Sequence, residues 1–182
     1  MGKYMKITKT KLDGVVIVEP NIFQDERGFL IKTFHKDFFR ENGMEFDYEE
    51  NYFTISKKNV LRGMHFQAPP KDHIKLVYVV SGAVLDVVLD IRKGSPTYGD
   101  YIEVELSAQN RKIIYMSTGF AHGYLSLIDN TCVIYLQSTM YSLEHQGGIK
   151  ADSFGMNWGV RNLIIKDETL PMLKNFKTPF IY

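Results

Sequence analysis

The sequence predicts an all-β fold, a sandwich or barrel with a few short helices at its edges. Three observations carry this. Short strand-like runs recur along most of the chain, and Gly, Pro and Asn punctuate them. The longest central run also alternates with a two-residue period. Val15 to Val18 reads as the first strand. Asp25-Glu26-Arg27-Gly28 is a turn, after which Phe29 to Phe34 reads as extended. Lys36 to Asn42 is a short helix stopped by Gly43. Tyr52 to Ile55 and Val60 to Gln67 are strand-like, the second ended by Ala68-Pro69-Pro70.

The centre gives the strongest β signal. Lys75 to Val80 and Ala83 to Ile91 read as two strands across a Ser81-Gly82 turn. In the second, Val84, Asp86, Val88 and Asp90 share one face, and Leu85, Val87, Leu89 and Ile91 share the other. One face is wholly apolar. The other tolerates carboxylates, as a strand lining a polar cavity or an edge would. Tyr101 to Leu106, Lys112 to Met116, Tyr124 to Leu127 and Cys132 to Ser138 add four strands. Beyond Gly147-Gly148 the pattern becomes irregular, with a short helix predicted over Lys166 to Leu173, Pro171 near its start.

The chain has 182 residues, enough for one domain with a sizeable core, and no linker or repeat divides it. Its net charge of +1 gives no field for nucleic acid or an anionic membrane, so an anionic ligand has to be held by local Arg and Lys. The single cysteine, Cys132, allows no intrachain disulfide. That points to a reducing compartment, the cytoplasm. Residues 1 to 6 carry no apolar core of a signal peptide, and Gly2 to Tyr4 read as a cloning remnant before a native Met5. The best candidate for a membrane span, Leu76 to Ile91, is broken by Gly82, Asp86 and Asp90.

Polar side chains inside apolar runs mark the candidate site. In Leu61-Arg62-Gly63-Met64-His65-Phe66-Gln67, alternation puts His65 and Gln67 on one face and Met64 and Phe66 on the other. A His so placed suits proton transfer near neutral pH. Arg62 precedes a glycine where the backbone can bend, and its fork suits an anion. His122 sits between Gly119 and Gly123, where backbone freedom on both sides suits a His presented to a ligand; a turn His bonding its own loop is the structural alternative. Lys75 opens an apolar strand, Tyr135 lies mid-strand, and Asp167 precedes a helical turn. Taken singly, each has an ordinary structural explanation: an edge gatekeeper, a packed phenol, an N-cap. His65, His73 and His122 lack the His-x-His pair and nearby Glu of a strong metal pattern, so a metal-free site is expected.

Together these residues resemble a known family. Leu61 to Gln67, Lys75-Leu76-Val77, Asp90-Ile91-Arg92 with Ser95-Pro96-Thr97-x-Gly99, Gly119 to Gly123, and Lys166-Asp167 with Pro171 look like the dTDP-4-dehydrorhamnose 3,5-epimerase family of the cupin, or jelly-roll, superfamily. The resemblance runs from Asp25 to Pro171. It implies a cupin jelly-roll and cofactor-free chemistry on a nucleotide-linked 4-keto sugar, whose ketone acidifies the C–H bonds at carbons 3 and 5. By similarity His65 is the base, Asp167 its partner, Lys75 the stabiliser of the enolate, and Tyr135 the acid. Arg62 would hold the pyrophosphate, His122 the sugar, and Arg27 would reach in from a neighbouring subunit. Gln67, Asn51, Glu49, Lys32, Tyr141 and Lys166 complete the expected substrate contacts. A homodimer is implied, its N-terminal strand crossing to the partner.

The sequence departs from the family's usual pattern. Lys32 stands where a Glu is common, and Glu49-Glu50-Asn51 replaces a Gln-Asp-Asn. Met140-Tyr141 replaces paired aromatics, Leu136 a Lys, and Lys150-Ala151-Asp152 a Trp-Asp-Asp. The first three positions lie, by analogy, near the nucleotide base, and Glu49 could accept from guanine. The alternatives are therefore the same chemistry on a GDP-linked 4-keto sugar or heptose, and inversion at one carbon only. Outside that chemistry stand a 3,4-ketoisomerase and a non-catalytic sugar-binding cupin. Retention of His65, Lys75, Tyr135 and Asp167 favours epimerisation.

Overall fold

A computed structural model describes residues 5–44, 47–166 and 169–182. Thirteen strands are found among them: β1 (Met5–Lys9), β2 (Val15–Pro20), β3 (Ile22–Asp25), β4 (Gly28–Ile31), β5 (Glu50–Ser56), β6 (Leu61–Gln67), β7 (Lys75–Ser81), β8 (Ala83–Asp90), β9 (Tyr101–Ser107), β10 (Ile113–Met116), β11 (Phe120–Ser126), β12 (Thr131–Gln137) and β13 (Gln146–Gly148). Helix α1 (Lys36–Glu41) lies between β4 and β5. A six-stranded sheet runs β1-β2-β10-β7-β12-β5 and a five-stranded sheet β13-β6-β11-β8-β9, while β3 and β4 form a separate hairpin. Strands within each sheet pair antiparallel. This is the cupin-like β-sandwich that the resemblance implies.

The two-residue period of β8 sorts its side chains between two cores. Val84 and Val88 join Val77, Val79, Tyr124 and Val133 between the sheets. Val87, Leu89 and Ile91 face the opposite way, onto Trp158, Met156 and Phe180 of the irregular C-terminal segment. That segment is thus the cover of one sheet. On the outer face of the other, Phe39 of α1 packs against Leu76, Ile113 and Leu136. His35 caps α1, its ring accepting from Phe38 N–H, and Gly43 at φ +74° follows its end. The β7–β8 turn needs Gly82, whose φ is +85° and whose absent Cβ would meet Thr131 Oγ1 at 2.3 Å.

The structure removes one alternative and corrects one expectation. His122 is not in a turn: β11 starts at Phe120 and pairs with both β6 and β8, so His122 is a mid-strand residue. No helix forms over the described part of Lys166 to Leu173; a single 3₁₀ turn follows at Leu173–Asn175. Tertiary partners take the backbone groups a helix would use. Lys150 N–H donates to Pro171 O at 2.8 Å, and Leu173 N–H to Ser153 Oγ at 3.0 Å. Strands β1, β3 and β13 fall where no strand is expected from sequence. Among the described residues, no helix is long and apolar enough to cross a membrane.

Candidate active site

The face of β8 that carries Asp86 is buried between the sheets, behind a cavity whose lining comes from the neighbouring strands and loops. The cavity has two connected lobes, of about 330 and about 200 Å³. The smaller is lined by Thr54, Arg62, His122 and Tyr135, and the larger by Glu50, Phe66, Gln67, His73, Gln137, Tyr141 and Gln146. Tyr52, His65 and Lys75 line both, at the junction.

A bulge builds the wall. On β11 His122 lies opposite His65 and Tyr124 opposite Arg62, so two steps on β11 answer three on β6. Simple alternation would send Arg62 and His65 to opposite faces. The extra residue brings both to the cavity while Met64 stays in the core behind. Gly63 makes this possible: its φ is +130°, and a Cβ there would lie 2.5 Å from Gly123 Cα.

The charged groups are deeply placed. Lys75 is 6% exposed, and its Nζ donates to His65 O at 3.4 Å. Burial pulls its pKa down to about 8, opposed by the negative charge of Asp86. Asp86 is fully buried; its Oδ2 lies 2.8 Å from His122 Nε2, and its Oδ1 has no hydrogen-bond partner. Tyr135 is buried, with its phenol pushed well up by burial first, then by Tyr124, Tyr52 and Asp86, against Arg62. His73 is buried with neither ring nitrogen bonded. Burial, then Lys75 and His122, lower its pKa to about 2, so the ring is neutral. Arg62 Nε donates to Ser56 Oγ at 3.1 Å. Tyr124 Oη lies 2.9 Å from that same hydroxyl and 2.7 Å from Thr54 Oγ1, a chain that braces the guanidinium.

His65, Lys75, His122, Tyr135, Arg62, Gln67 and Tyr141 all line this cavity. Gln67, however, is committed to loops: its Nε2 donates to Lys71 O and Met140 O, and its Oε1 accepts from Ser142 N–H. Other expected contacts are not assembled within this chain. Asn51 lies on the outward parity of β5, opposite Leu136, and lines neither lobe. Glu49 is exposed and also off the cavity, as is Lys166. Arg27 and Lys32 line a separate surface hollow of the β3–β4 hairpin, where Arg27 pairs with Asp25. Asp167 lies outside the described residues.

Sequence reasoning missed Tyr52, Thr54, Gln137 and Asp86 as site residues. The inward parity of β5 carries Glu50, Tyr52, Thr54 and Ser56, polar at every position beside an outward parity with Phe53 and Ile55. That inverted alternation was the available signal. Among the described residues, no three His, Cys, Asp or Glu side chains are grouped to hold a metal ion.

The sequence model of dTDP-4-dehydrorhamnose 3,5-epimerases matches residues 9–175. The dTDP-4-dehydrorhamnose 3,5-epimerase of Methanothermobacter thermautotrophicus is 40% identical over 168 residues, 90% of each chain. That of Shigella flexneri is 38% identical over 169 residues, 91% of this chain and 93% of the other. Among solved structures, a dTDP-6-deoxy-D-glucose-3,5-epimerase from Legionella pneumophila in complex with dTDP-4-keto-L-rhamnose superposes with a TM-score of 0.93. It is 31% identical and covers 98% of this chain and 99% of its own. A 3'-monoepimerase from Streptomyces bikiniensis, bound to dTDP-quinovose, gives a TM-score of 0.87 at 30% identity over 91% of this chain and 86% of its own. On these matches the chain belongs to the dTDP-4-dehydrorhamnose 3,5-epimerase family, isomerases that act on nucleotide-linked sugars.

Proposed function

We propose that this enzyme inverts carbons 3 and 5 of a dTDP-linked 4-keto-6-deoxy sugar, with His65 as base and Tyr135 as acid. The observation that carries the reading is the convergence of His65, Lys75, His122 and Tyr135 on one cavity with Arg62 at its wall. His65 takes the proton from a carbon beside the ketone, and the electron pair moves into an enolate. Its oxygen is stabilised by the Lys75 ammonium. The Tyr135 phenol returns a proton to the opposite face and is reprotonated from solvent, to which His65 releases the proton it took. Asp167 is assigned as the partner of His65 on the family resemblance. Arg62, braced by Ser56, holds the diphosphate. No cofactor takes part in this scheme.

The nucleotide is read as dTDP. The solved relatives above were bound to dTDP sugars. Glu49, the residue that favoured guanine, does not line the cavity, and Glu50 accepts from Tyr141 N–H at 2.7 Å. We also assign a cytoplasmic homodimer. The β3–β4 hairpin exposes Ile22, Phe23, Phe29 and Leu30 together, an apolar surface that a second copy would cover, bringing Arg27 towards its site. A monomeric mass in solution would refute that assignment.

The test of the chemistry is solvent exchange. The protein is incubated in heavy water with dTDP- and GDP-linked 4-keto-6-deoxy sugars, and each product is read by mass and NMR. Deuterium at both carbons flanking the ketone, faster with dTDP, is expected. Deuterium at one carbon would make it a monoepimerase, and no exchange would withdraw the roles of His65 and Tyr135.

A further inference from the structure

The junction of the two lobes is formed by three side chains, and the mechanism above uses only two of them. The third, Tyr52, is 37% exposed and stacks on Tyr135 at 4.8 Å between ring centroids and 11° between planes. Its position is fixed from both sides. Across β5 and β12 it lies opposite Tyr135, and Gln137 lies opposite Glu50 on β5 and Lys75 on β7. Gln137 Nε2 donates to Tyr52 Oη at 2.7 Å. With its oxygen accepting that bond, the phenol keeps its own hydrogen for another acceptor. Tyr52, Gln137 and Lys75 therefore form one contiguous edge of the junction.

We propose that Tyr52 is a catalytic residue of this enzyme, its hydroxyl donating a hydrogen bond to the ketone oxygen of the bound sugar beside Lys75. An enolate oxygen is best stabilised by more than one preorganised donor. In this cavity Lys75 supplies a charged donor and Tyr52 a neutral one. Burial first, then the charge of Glu50, hold the Tyr52 phenol above its ordinary pKa. It stays a donor rather than a base throughout the working range. The stack also makes Tyr52 the lid of Tyr135, so the two phenols do different work: one faces the oxygen, the other a carbon.

This inference rests on the epimerase reading, and the closing experiment separates the two. Tyr52→Phe keeps the ring and its stack but removes the donor. In the heavy-water assay, carbons 3 and 5 share one ketone oxygen. Loss of a donor to that oxygen should slow exchange at both by the same factor, about 10² in kcat. Affinity for dTDP alone, which lacks the sugar, should not change. Wild-type exchange at either carbon is the control: if wild type shows none, the epimerase reading falls first. If wild type exchanges and Tyr52→Phe matches it, Tyr52 is not a donor. Unequal slowing at the two carbons of a double epimerase would also overturn the proposal. So would a rise in KM and in the dTDP Kd at unchanged kcat, which would place Tyr52 at the nucleotide. Tyr52→Leu, which removes the stack as well, should lose no more exchange than Tyr52→Phe if the donor alone matters; a much larger loss would assign Tyr52 a supporting role under Tyr135.

Discussion

Replacing Lys75 with Met should stabilise the fold while removing activity. Lys75 is 6% exposed, and burial lowers its pKa from 10.5 to about 8. At neutral pH the folded state must hold an ammonium that the unfolded chain solvates better. A depression of that size corresponds to about 3 kcal/mol of lost stability. The sign follows from proton counting. Between pH 8 and 10.5 the unfolded chain binds the proton more tightly than the folded one, so wild-type stability rises with pH through that window. The Met variant has no such group. Its advantage should be about 3 kcal/mol below pH 8 and fade to nothing above pH 10.5. For a domain of this size that is roughly 6–12 °C in Tm at neutral pH. Urea unfolding of both proteins from pH 6 to 11 measures the difference, in which titrating groups not coupled to Lys75 cancel. A variant less stable than wild type at pH 7, or a gap that does not close with rising pH, would refute the desolvation argument. Exchange activity of the Met variant should fall by several orders of magnitude if Lys75 meets the developing oxyanion.

Two further predictions concern the buried carboxylates. Asp86→Asn removes the negative charge that holds the Lys75 pKa up, so the alkaline limb of the kcat/KM profile should move to lower pH. An unmoved limb would mean that Lys75 does not govern it. Asp90 is fully buried and accepts from Arg92 Nε and Nη2, Ser95 Oγ and Thr97 Oγ1 at 3.0, 2.6, 2.7 and 2.7 Å. Asp90→Ala strands a buried guanidinium and should cost about 3–5 kcal/mol in denaturant unfolding; a loss below 1 kcal/mol would show that the loop relaxes.

Much of the frame was legible before any coordinates. Tyr101 to Leu106, Cys132 to Ser138 and the β7–β8 hairpin stand close to where alternation and Gly82 place them, and α1 ends just ahead of Gly43. Alternation also sorted Met64 to the core and His65 to the cavity. These features are local, set by which side chains a pleated or helical backbone turns to one side. The illegible ones depend on partners distant in sequence. The strand expected from Tyr124 starts at Phe120, because pairing on both sides holds the stretch around Gly123 extended although glycine weakens a strand. The helix expected near Pro171 fails because its backbone groups bond to Lys150 and Ser153.

The candidate site divides in the same way. By itself the sequence determined the chemistry-bearing residue types and their strands: a His, a Lys and a Tyr set in otherwise apolar runs, in an order that resembles one family. Only the tertiary structure decided which of them meet. The bulge opposite β11 turns Arg62 and His65 to one side, because strand register is fixed between strands and not within one. It also decided between Asn51 and Tyr52. Adjacent residues on a strand face opposite ways, and the pairing of Tyr52 with Tyr135 puts the phenol, not the amide, in the cavity. Asp86 became a site residue for a related reason. Its oxygen meets His122 only once β8 and β11 are paired, and its charge acts on Lys75 only once β7 of the other sheet is packed across from them and water is excluded from between the sheets.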